Sequence, residues 1–278
     1  MANALPPGLY VVATPIGNLG DLSPRAADVL RRADRILVED SRVTGKLLAH
    51  IGARVPMSRY DDHSTEHDRE DVVSRLGEEA IALVSDAGTP LVSDPGYKLV
   101  RAAREAGHEV VAVPGPCAAI AALSIAGLPT DRFLFLGFLP AKAKARSDAI
   151  AEIAAVRATL IIYESGPRLG ETLGALRKQL GPRDAAVARE LTKLHEECVT
   201  GTLAELTDRY NGIVPKGEIV ILVGPPLEAE TVSEADLDRM LDAALRRLSP
   251  SRAAAEVAEQ LNIPRKRAYA RALERSRE

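Results

Sequence analysis

Two charged clusters stand directly after short apolar runs: Glu39-Asp40-Ser41-Arg42 and Arg189-Glu190-Leu191-Thr192-Lys193. Asp21 adds an acid nearer the N-terminus. A carboxylate can take a proton from a hydroxyl, and a nearby cation can lower that hydroxyl's pKa. Asp40, Arg42, Glu190 and Lys193 are therefore candidate catalytic groups, because each follows a strand end that would aim it at a cleft. Each has a plain structural alternative, an ion pair or a helix cap. Ser41, for instance, could cap a helix beginning at Arg42.

A second set of residues is notable for what it lacks. Thr14–Asp21, T-P-I-G-N-L-G-D, follows the apolar run Leu9–Ala13 where a phosphate loop would stand. Pro15 has no N–H, and neither G-x-G-x-x-G nor a Walker loop is present, so no pyrophosphate cradle is expected. Two more small-residue turns end other strands: LVSDAGTPLVSDPGY, Leu83–Tyr97, and AVPGPCAAIAAL, Ala112–Leu123. In an open α/β sheet, ligands bind outside the carboxyl ends of the strands. Three such turns would build one smooth pocket of low charge, offering backbone carbonyls, backbone N–H groups and the single carboxylate of Asp86. That suits a ligand with an adenosine, an amino acid and a sulfonium but no phosphate. S-adenosylmethionine meets this description.

The elements that must position these groups come from the hydrophobic pattern. Strands are expected at Leu9–Ala13, Ile36–Val38, Ile81–Val84 and Val110–Val113, with helices at Ser23–Arg32, Arg42–Ile51 and Tyr97–Ala106 between them. Strands alternating with helices of about 10 residues imply a mainly parallel sheet covered on both faces. Ser23 followed by Pro24 marks a helix start and Gly107 a helix stop. V-P-G-P-C opens a small-residue helix ending near Gly127, and R-F-L-F-L-G-F-L-P starts a new strand. Further strands are read at Thr159–Tyr163, Ala185–Ala188, Glu196–Gly201 and Glu218–Val223, with helices near Ala143–Ala155 and Arg168–Leu180. Their closer spacing points to a mixed sheet. G-P-P-L-E-A-E-T-V-S-E-A-D is a polar linker, and Glu234–Glu278 reads as helix throughout. The expected organisation is two α/β domains, 1–117 and 118–228, and a helical extension, 229–278.

The extension has its own signature. Ser251 could cap a helix to Gln260, Leu261-Asn262-Ile263 could turn, and Pro264 could start a second helix, as in a helix-turn-helix. From Arg246 onward nine basic residues stand against four acidic ones, in a chain of 278 residues with net charge −3. Arg265, Lys266, Arg267 and Arg271 form the densest part. Charge segregated in this way suggests a nucleic-acid contact.

Composition bounds the rest. Apolar residues make up 46% and aromatic residues 3%, with no Trp, so the core must be aliphatic. No apolar run nears the roughly 20 residues that span a bilayer, and no secretory signal is visible. Two isolated cysteines, Cys117 and Cys198, favour a reducing cytoplasm. His63 and His67 have metal-like spacing, but a loop capping a helix at Ser64 or Thr65 explains them better, so no metal is expected. Cys117 reads as a pocket-lining residue rather than a nucleophile, and His195 as a surface or cleft-edge residue.

The motifs T-P-I-G-N-L-G-D, E-D-S-R, S-D-A-G-T-P-L-V-S-D-P-G, P-G-P-C-A, Y-E-S-G-P-R and A-R-E-L-T-K-L-H-E-E together resemble the tetrapyrrole-methylase superfamily, over about residues 8–225. Within it they resemble the branch that 2′-O-methylates a cytidine in the decoding centre of 16S ribosomal RNA. Ser41 replaces the more usual Thr, and Cys117 the usual Ser. The resemblance implies an S-adenosylmethionine cleft between two α/β domains, a homodimer, and 16S rRNA in the 30S subunit as substrate. It implies cofactor contacts at Pro15, Asp86, Ala87, Gly88, Cys117, Ala118, Tyr163, Ala188 and Glu218. Three alternatives remain open at this level. They are a corrin-precursor methylase, a diphthine synthase-like protein methylase, and a non-catalytic RNA-binding assembly factor.

Overall fold

The computed structural model describes residues 4–226, 233–261 and 264–276. Residues up to Pro226 form one compact unit and those beyond form a second. The first unit opens with a five-stranded sheet in the order β3-β2-β4-β1-β5. Its strands are β1 Gly8–Val12, β2 Arg35–Val38, β3 Met57–Arg59, β4 Ala80–Leu83 and β5 Val110–Val113, and every pairing is parallel. R-I-L-V and A-I-A-L are apolar on both faces, as strands covered on both sides must be. Helices α1 Pro24–Arg32, α2 Ser41–His50, α3 Glu66–Arg75 and α4 Tyr97–Glu105 connect them. Two apolar clusters form, one around Val12, Leu30 and Ile36 and the other around Leu9, Ile81 and Leu99.

The small-residue helix, α5 Ala118–Ile125, leads to a second five-stranded sheet in the order β6-β7-β10-β8-β9. Its strands are β6 Phe133–Phe138, β7 Thr159–Ser165, β8 Asp184–Arg189, β9 Glu197–Thr202 and β10 Glu218–Val223. β6 pairs parallel with β7 and the remaining pairs are antiparallel, so the sheet is mixed. One face packs on α6 Ala143–Ile153, α7 Leu169–Leu180 and α8 Leu203–Arg209. The other face packs on α5, together with Ile16 from the turn after β1. That shared cluster fastens the first turn to the second sheet.

The second unit is three helices, α9 Glu234–Leu245, α10 Pro250–Gln260 and α11 Arg265–Arg275, around a small-side-chain core of Leu237, Leu241, Val257, Ala268 and Ala272. The helical stretch from Glu234 onward is interrupted between α9 and α10 as well as between α10 and α11, where the helix-turn-helix reading expects it. α10 starts at Pro250 with Ser249 in the cap position, not at Ser251, because proline is favoured at the first helical residue. Residues 227–232, where a linker is expected, Asn262 and Ile263, where a turn is expected, and Arg277 and Glu278 lie outside the described residues, as does the expected boundary at 228. Among the described residues, no helix is long and apolar enough to cross a membrane.

Candidate active site

The turns after β1 and β4 meet at the carboxyl edge of the first sheet. The backbone N–H of Thr14 donates to the Gly88 carbonyl at 2.8 Å, and that of Gly88 donates to the Thr14 carbonyl at 3.1 Å. The buried Thr14 hydroxyl donates to the Ser85 carbonyl at 3.2 Å. Pro15 continues this bridge, and the next residue, Ile16, reaches the wall of a cavity of about 350 Å³. Asp86, Ala87 and Gly88 line the same cavity, as do Cys117 and Ala118 at the start of α5 and Tyr163 and Glu218 of the second sheet. Pro15 and Ala188 do not line it. Ala188 is 0% exposed, paired with Val220 behind the wall, because its strand position faces the α5 packing.

The β4 turn is held from several sides. Thr89 Oγ1 donates to the Pro116 carbonyl at 3.0 Å, joining it to the Pro-Gly-Pro turn. The Asp40 N–H donates to Asp86 Oδ1 at 3.1 Å, joining it to the turn after β2. Leu91 and Ser93 have φ of 72° and 65°. Non-glycine residues in this region cost about 1–3 kcal/mol each and persist where packing over-determines them.

The cavity is more acidic than the sequence reading expects. Asp94 and Glu164 line it beside Asp86 and Glu218. Asp94 lies in the second half of the S-D-A-G-T-P-L-V-S-D-P-G motif, and that repeat of S-D was its visible signal. Glu164 is spent on structure: it accepts from Thr172 Oγ1 at 2.7 Å and the Ser165 N–H at 2.8 Å, and pairs with Arg168 at 3.4 Å. Burial pushes Asp94 up to about 6, opposed by a Ser85 hydrogen bond and reinforced by the Asp86 charge. Burial and the charges of Asp94, Asp86, Asp62 and Asp61 push Glu39 up to about 7. Its neighbour Asp40 moves the other way, to about 2, because Arg42 hydrogen-bonds its carboxylate.

Asp40, not Ser41, caps α2: its carboxylate accepts from the Arg42 N–H at 2.8 Å. The same carboxylate holds the Arg42 guanidinium at 2.6 Å, leaving that arginine side chain 87% exposed. Asp40 occupies the cap position with extended backbone, whereas Ser41 is already the first helical residue, and the paired guanidinium adds to the hold.

The second charged cluster forms a tight turn after β8. Glu190 and Thr192 have φ of 50° and 65°. Lys193 Nζ donates to Glu190 Oε1 at 3.1 Å and to Glu218 Oε2 at 3.2 Å, so the cluster is tied to the cavity through Glu218. The Lys193 stem lies across the first turn. A Cβ on Gly17 would sit 2.5 Å from Lys193 Cγ, and one on Gly217 would collide with Glu190 Oε1. Burial works against the Lys193 charge, and the Glu190 and Glu218 carboxylates outweigh it and raise its pKa.

Tyr163 closes the second-sheet side. Its hydroxyl accepts from the Ala119 N–H at 3.2 Å. Burial drives its pKa far up, so the phenol stays protonated. His63 belongs to the loop before α3, where its N–H donates to Asp61 at 2.9 Å, and the cap is Thr65 in a capping box with Asp68. His195 is exposed.

In the second unit the four expected RNA-contacting residues separate. Arg265, Lys266 and Arg267 are exposed at the start of α11. Arg271 is committed to packing: it donates to both Asp238 oxygens at 2.7 Å and to Glu274 at 2.8 Å. Arg275 makes the same pairing with Asp242 one turn on. The i, i+4 spacing that puts Arg271 on a face with Arg267 also puts it opposite α9, where a bidentate carboxylate waits.

Comparison with known proteins agrees with this architecture. Residues 8–207 match the model of the Tetrapyrrole (Corrin/Porphyrin) Methylases, and residues 231–276 match that of the RsmI C-terminal HTH domain. The chain is 55% identical to ribosomal RNA small subunit methyltransferase I of Erythrobacter litoralis, over 98% of this chain and 97% of that one. It is 47% identical to the protein of the same name from Mesorhizobium japonicum, over 98% and 94%. Among solved structures, diphthine synthase aligns with a TM-score of 0.62 at 15% identity, over 78% of this chain and 89% of that one. Uroporphyrin-III-C-methyltransferase from Thermus thermophilus aligns with 0.56 at 22%, over 78% and 93%. At those identities the structures speak for the fold alone. The sequence matches go further: the chain belongs to the tetrapyrrole (corrin/porphyrin) methylases, alongside the proteins named ribosomal RNA small subunit methyltransferase I.

Proposed function

We propose that the protein transfers a methyl group from S-adenosylmethionine to the ribose O2′ of a cytidine in 16S ribosomal RNA. At the coarser level it is a methyltransferase of small-subunit rRNA that uses S-adenosylmethionine. The observation that carries the reading is the strand-end cavity, with carboxylates on its wall and no phosphate cradle, in a chain with full-length similarity to rRNA methyltransferases. An acidic lining suits a ligand carrying a sulfonium and an ammonium group, so the residues present fit the donor. When bound, the donor supplies a methyl group already activated on sulfonium, and its transfer to a hydroxyl releases one proton.

Asp86, Ala87, Gly88, Cys117, Ala118, Tyr163 and Glu218 would hold the donor, with Pro15 and Ala188 setting the turn and the wall behind them. Alignment of O2′, methyl and sulfur is the protein's main contribution, because the leaving group needs no further activation. Lys193, beside the cavity through Glu218, would lower the pKa of the ribose hydroxyl, with Glu190 holding the ammonium in place. Asp40 fixes Arg42 toward an RNA phosphate. Its own depressed pKa makes it an anchor for the guanidinium rather than a base near neutral pH. In this reading 1–117 and 118–228 are the two halves of the cofactor cleft. Arg265, Lys266 and Arg267 of the 229–278 extension grip RNA, while Arg271 supports their helix. The protein would act as a homodimer on the 30S subunit in the cytoplasm. The test is transfer from labelled S-adenosylmethionine to small ribosomal subunits lacking the modification. Label on ribose O2′ of one cytidine supports the reading, and label on a base atom or a ribosomal-protein side chain instead removes it.

A further inference from the structure

All three phenylalanines of this chain, Phe133, Phe135 and Phe138, lie in the single strand β6, although aromatic residues are only 3% of the sequence. In a regular strand Phe135 and Phe138 would point to opposite faces. β6 is not regular. It pairs with β7 as far as Phe135 opposite Ile161, then shifts so that Gly137 stands opposite Ile162 and Phe138 opposite Tyr163. Leu136 is the extra residue. Gly137 takes φ of 62° and passes so near Ser93 that a Cβ would lie 2.7 Å from its hydroxyl oxygen. The bulge therefore returns Phe138 to the face that Phe135 and Tyr163 share. Both phenylalanines meet Tyr163 edge-on, with ring centroids 4.9 and 5.7 Å away and interplanar angles of 72° and 64°.

Phe138 lines the cavity, yet it is 57% exposed, whereas Ile16, Ile219 and Val220 on the same wall are buried. It stands at the mouth and not on the floor. A large aromatic ring in an edge-type contact with Tyr163 and more than half exposed at a cavity wall offers surface for stacking. A bulge that turns it outward beside a cofactor-sized cavity is a device for re-aiming one side chain.

We propose that Phe138 stacks on the base of the target nucleotide and so holds its ribose over the cavity mouth. This rests on the function proposed above. A ribose oxygen within folded RNA reaches an enclosed methyl group only when its nucleotide leaves the stack, and an aromatic side chain replaces part of the stacking that is lost. Stacking accepts any base, so the ring supplies position while sequence choice lies elsewhere.

The test uses the full-length protein with Phe138→Ala, Phe138→Leu and Phe138→Tyr. S-adenosylmethionine affinity is measured by calorimetry, and kcat and KM are measured on small ribosomal subunits lacking the modification. The Ala and Leu variants should lose about 10- to 100-fold in kcat/KM, as the loss of one base–aromatic stack implies. Their cofactor affinity should stay near the parent's, and Phe138→Tyr should recover most of the transfer. Leu performing like the parent would overturn the proposal, since apolar bulk would then suffice. Cofactor affinity falling in step with kcat/KM would also overturn it, assigning the ring to the donor. A parent protein that binds the donor but methylates no small subunit would instead remove the functional reading, an outcome the Phe138 series cannot produce.

Discussion

Glu39 and Asp40 are neighbours in sequence but opposites in charge behaviour, at about 7 and about 2. Glu39 is raised in the folded state, so folding takes up a proton between its ordinary value and about 7. Its contribution to stability is present at low pH and is lost as pH rises through that window. Glu39→Gln should therefore stabilise the protein at pH 8, by about 1 kcal/mol after allowing for solvent screening, and have little effect at pH 4. Thermal unfolding at the two pH values checks this, and equal midpoint shifts would assign the effect to something other than ionisation. Asp86 and Ala118 carry the cofactor claim. Asp86→Ala, and Ala118→Leu by filling the space, should each weaken S-adenosylmethionine binding about tenfold or more in calorimetry, which is about 1.4 kcal/mol. Unchanged affinity in both would place the donor elsewhere. The place of Asp86 on the cavity wall was readable because a carboxylate in a small-residue turn stands out. Glu39 was legible only as one member of a charged cluster, because its shift comes from acids at positions 61, 62, 86 and 94 that only the fold assembles.

At the scale of elements, strands were the most legible feature. Val110–Val113 and Glu218–Val223 fall where the apolar runs place them, and the others differ by a residue or two at their ends. β3 was not legible: Met-Ser-Arg is a three-residue edge strand without an apolar pattern. α8 was missed although Thr202 and Glu205 spell its capping box, because seven residues give too little helical period. The turn after β8 could be read as charged but not as a wedge against the turn after β1. That contact gives a prediction. Gly17→Ala should destabilise by about 1–3 kcal/mol through overpacking against Lys193. Combining it with Lys193→Ala should recover part of the loss, a coupling that a thermodynamic cycle measures. Additive losses would show that the Leu191 carbonyl, 3.1 Å from the same Cβ, dominates instead. In the three-helix unit, Arg271→Ala should lower the thermal midpoint and leave the salt dependence of RNA binding alone. Arg265→Ala and Lys266→Ala should each flatten the log–log salt slope by about 0.7–0.9. A flatter slope for Arg271→Ala would return that residue to the RNA.

For the whole molecule, the α/β architecture followed from alternating periods, and the helical extension from its break in composition. The pairing order of the two sheets did not, because register between distant strands depends on contacts that no local pattern records. The cavity was foreseen as three small-residue turns, while its acidity came from a β4 loop that folds back to add Asp94 and from β10 bringing Glu218. In the function proposed above, this cavity presents a sulfonium methyl group to a ribose hydroxyl of small-subunit RNA. The most direct measurement is transfer of labelled methyl from S-adenosylmethionine to small subunits lacking the modification, followed by nuclease mapping of the label. One labelled cytidine in 16S rRNA, methylated at O2′, is expected, with transfer at limiting donor falling in Asp86→Ala in step with donor affinity. Label on a base atom, label on protein, or transfer at limiting donor that stays at the parent's level while Asp86→Ala weakens donor binding would contradict that function.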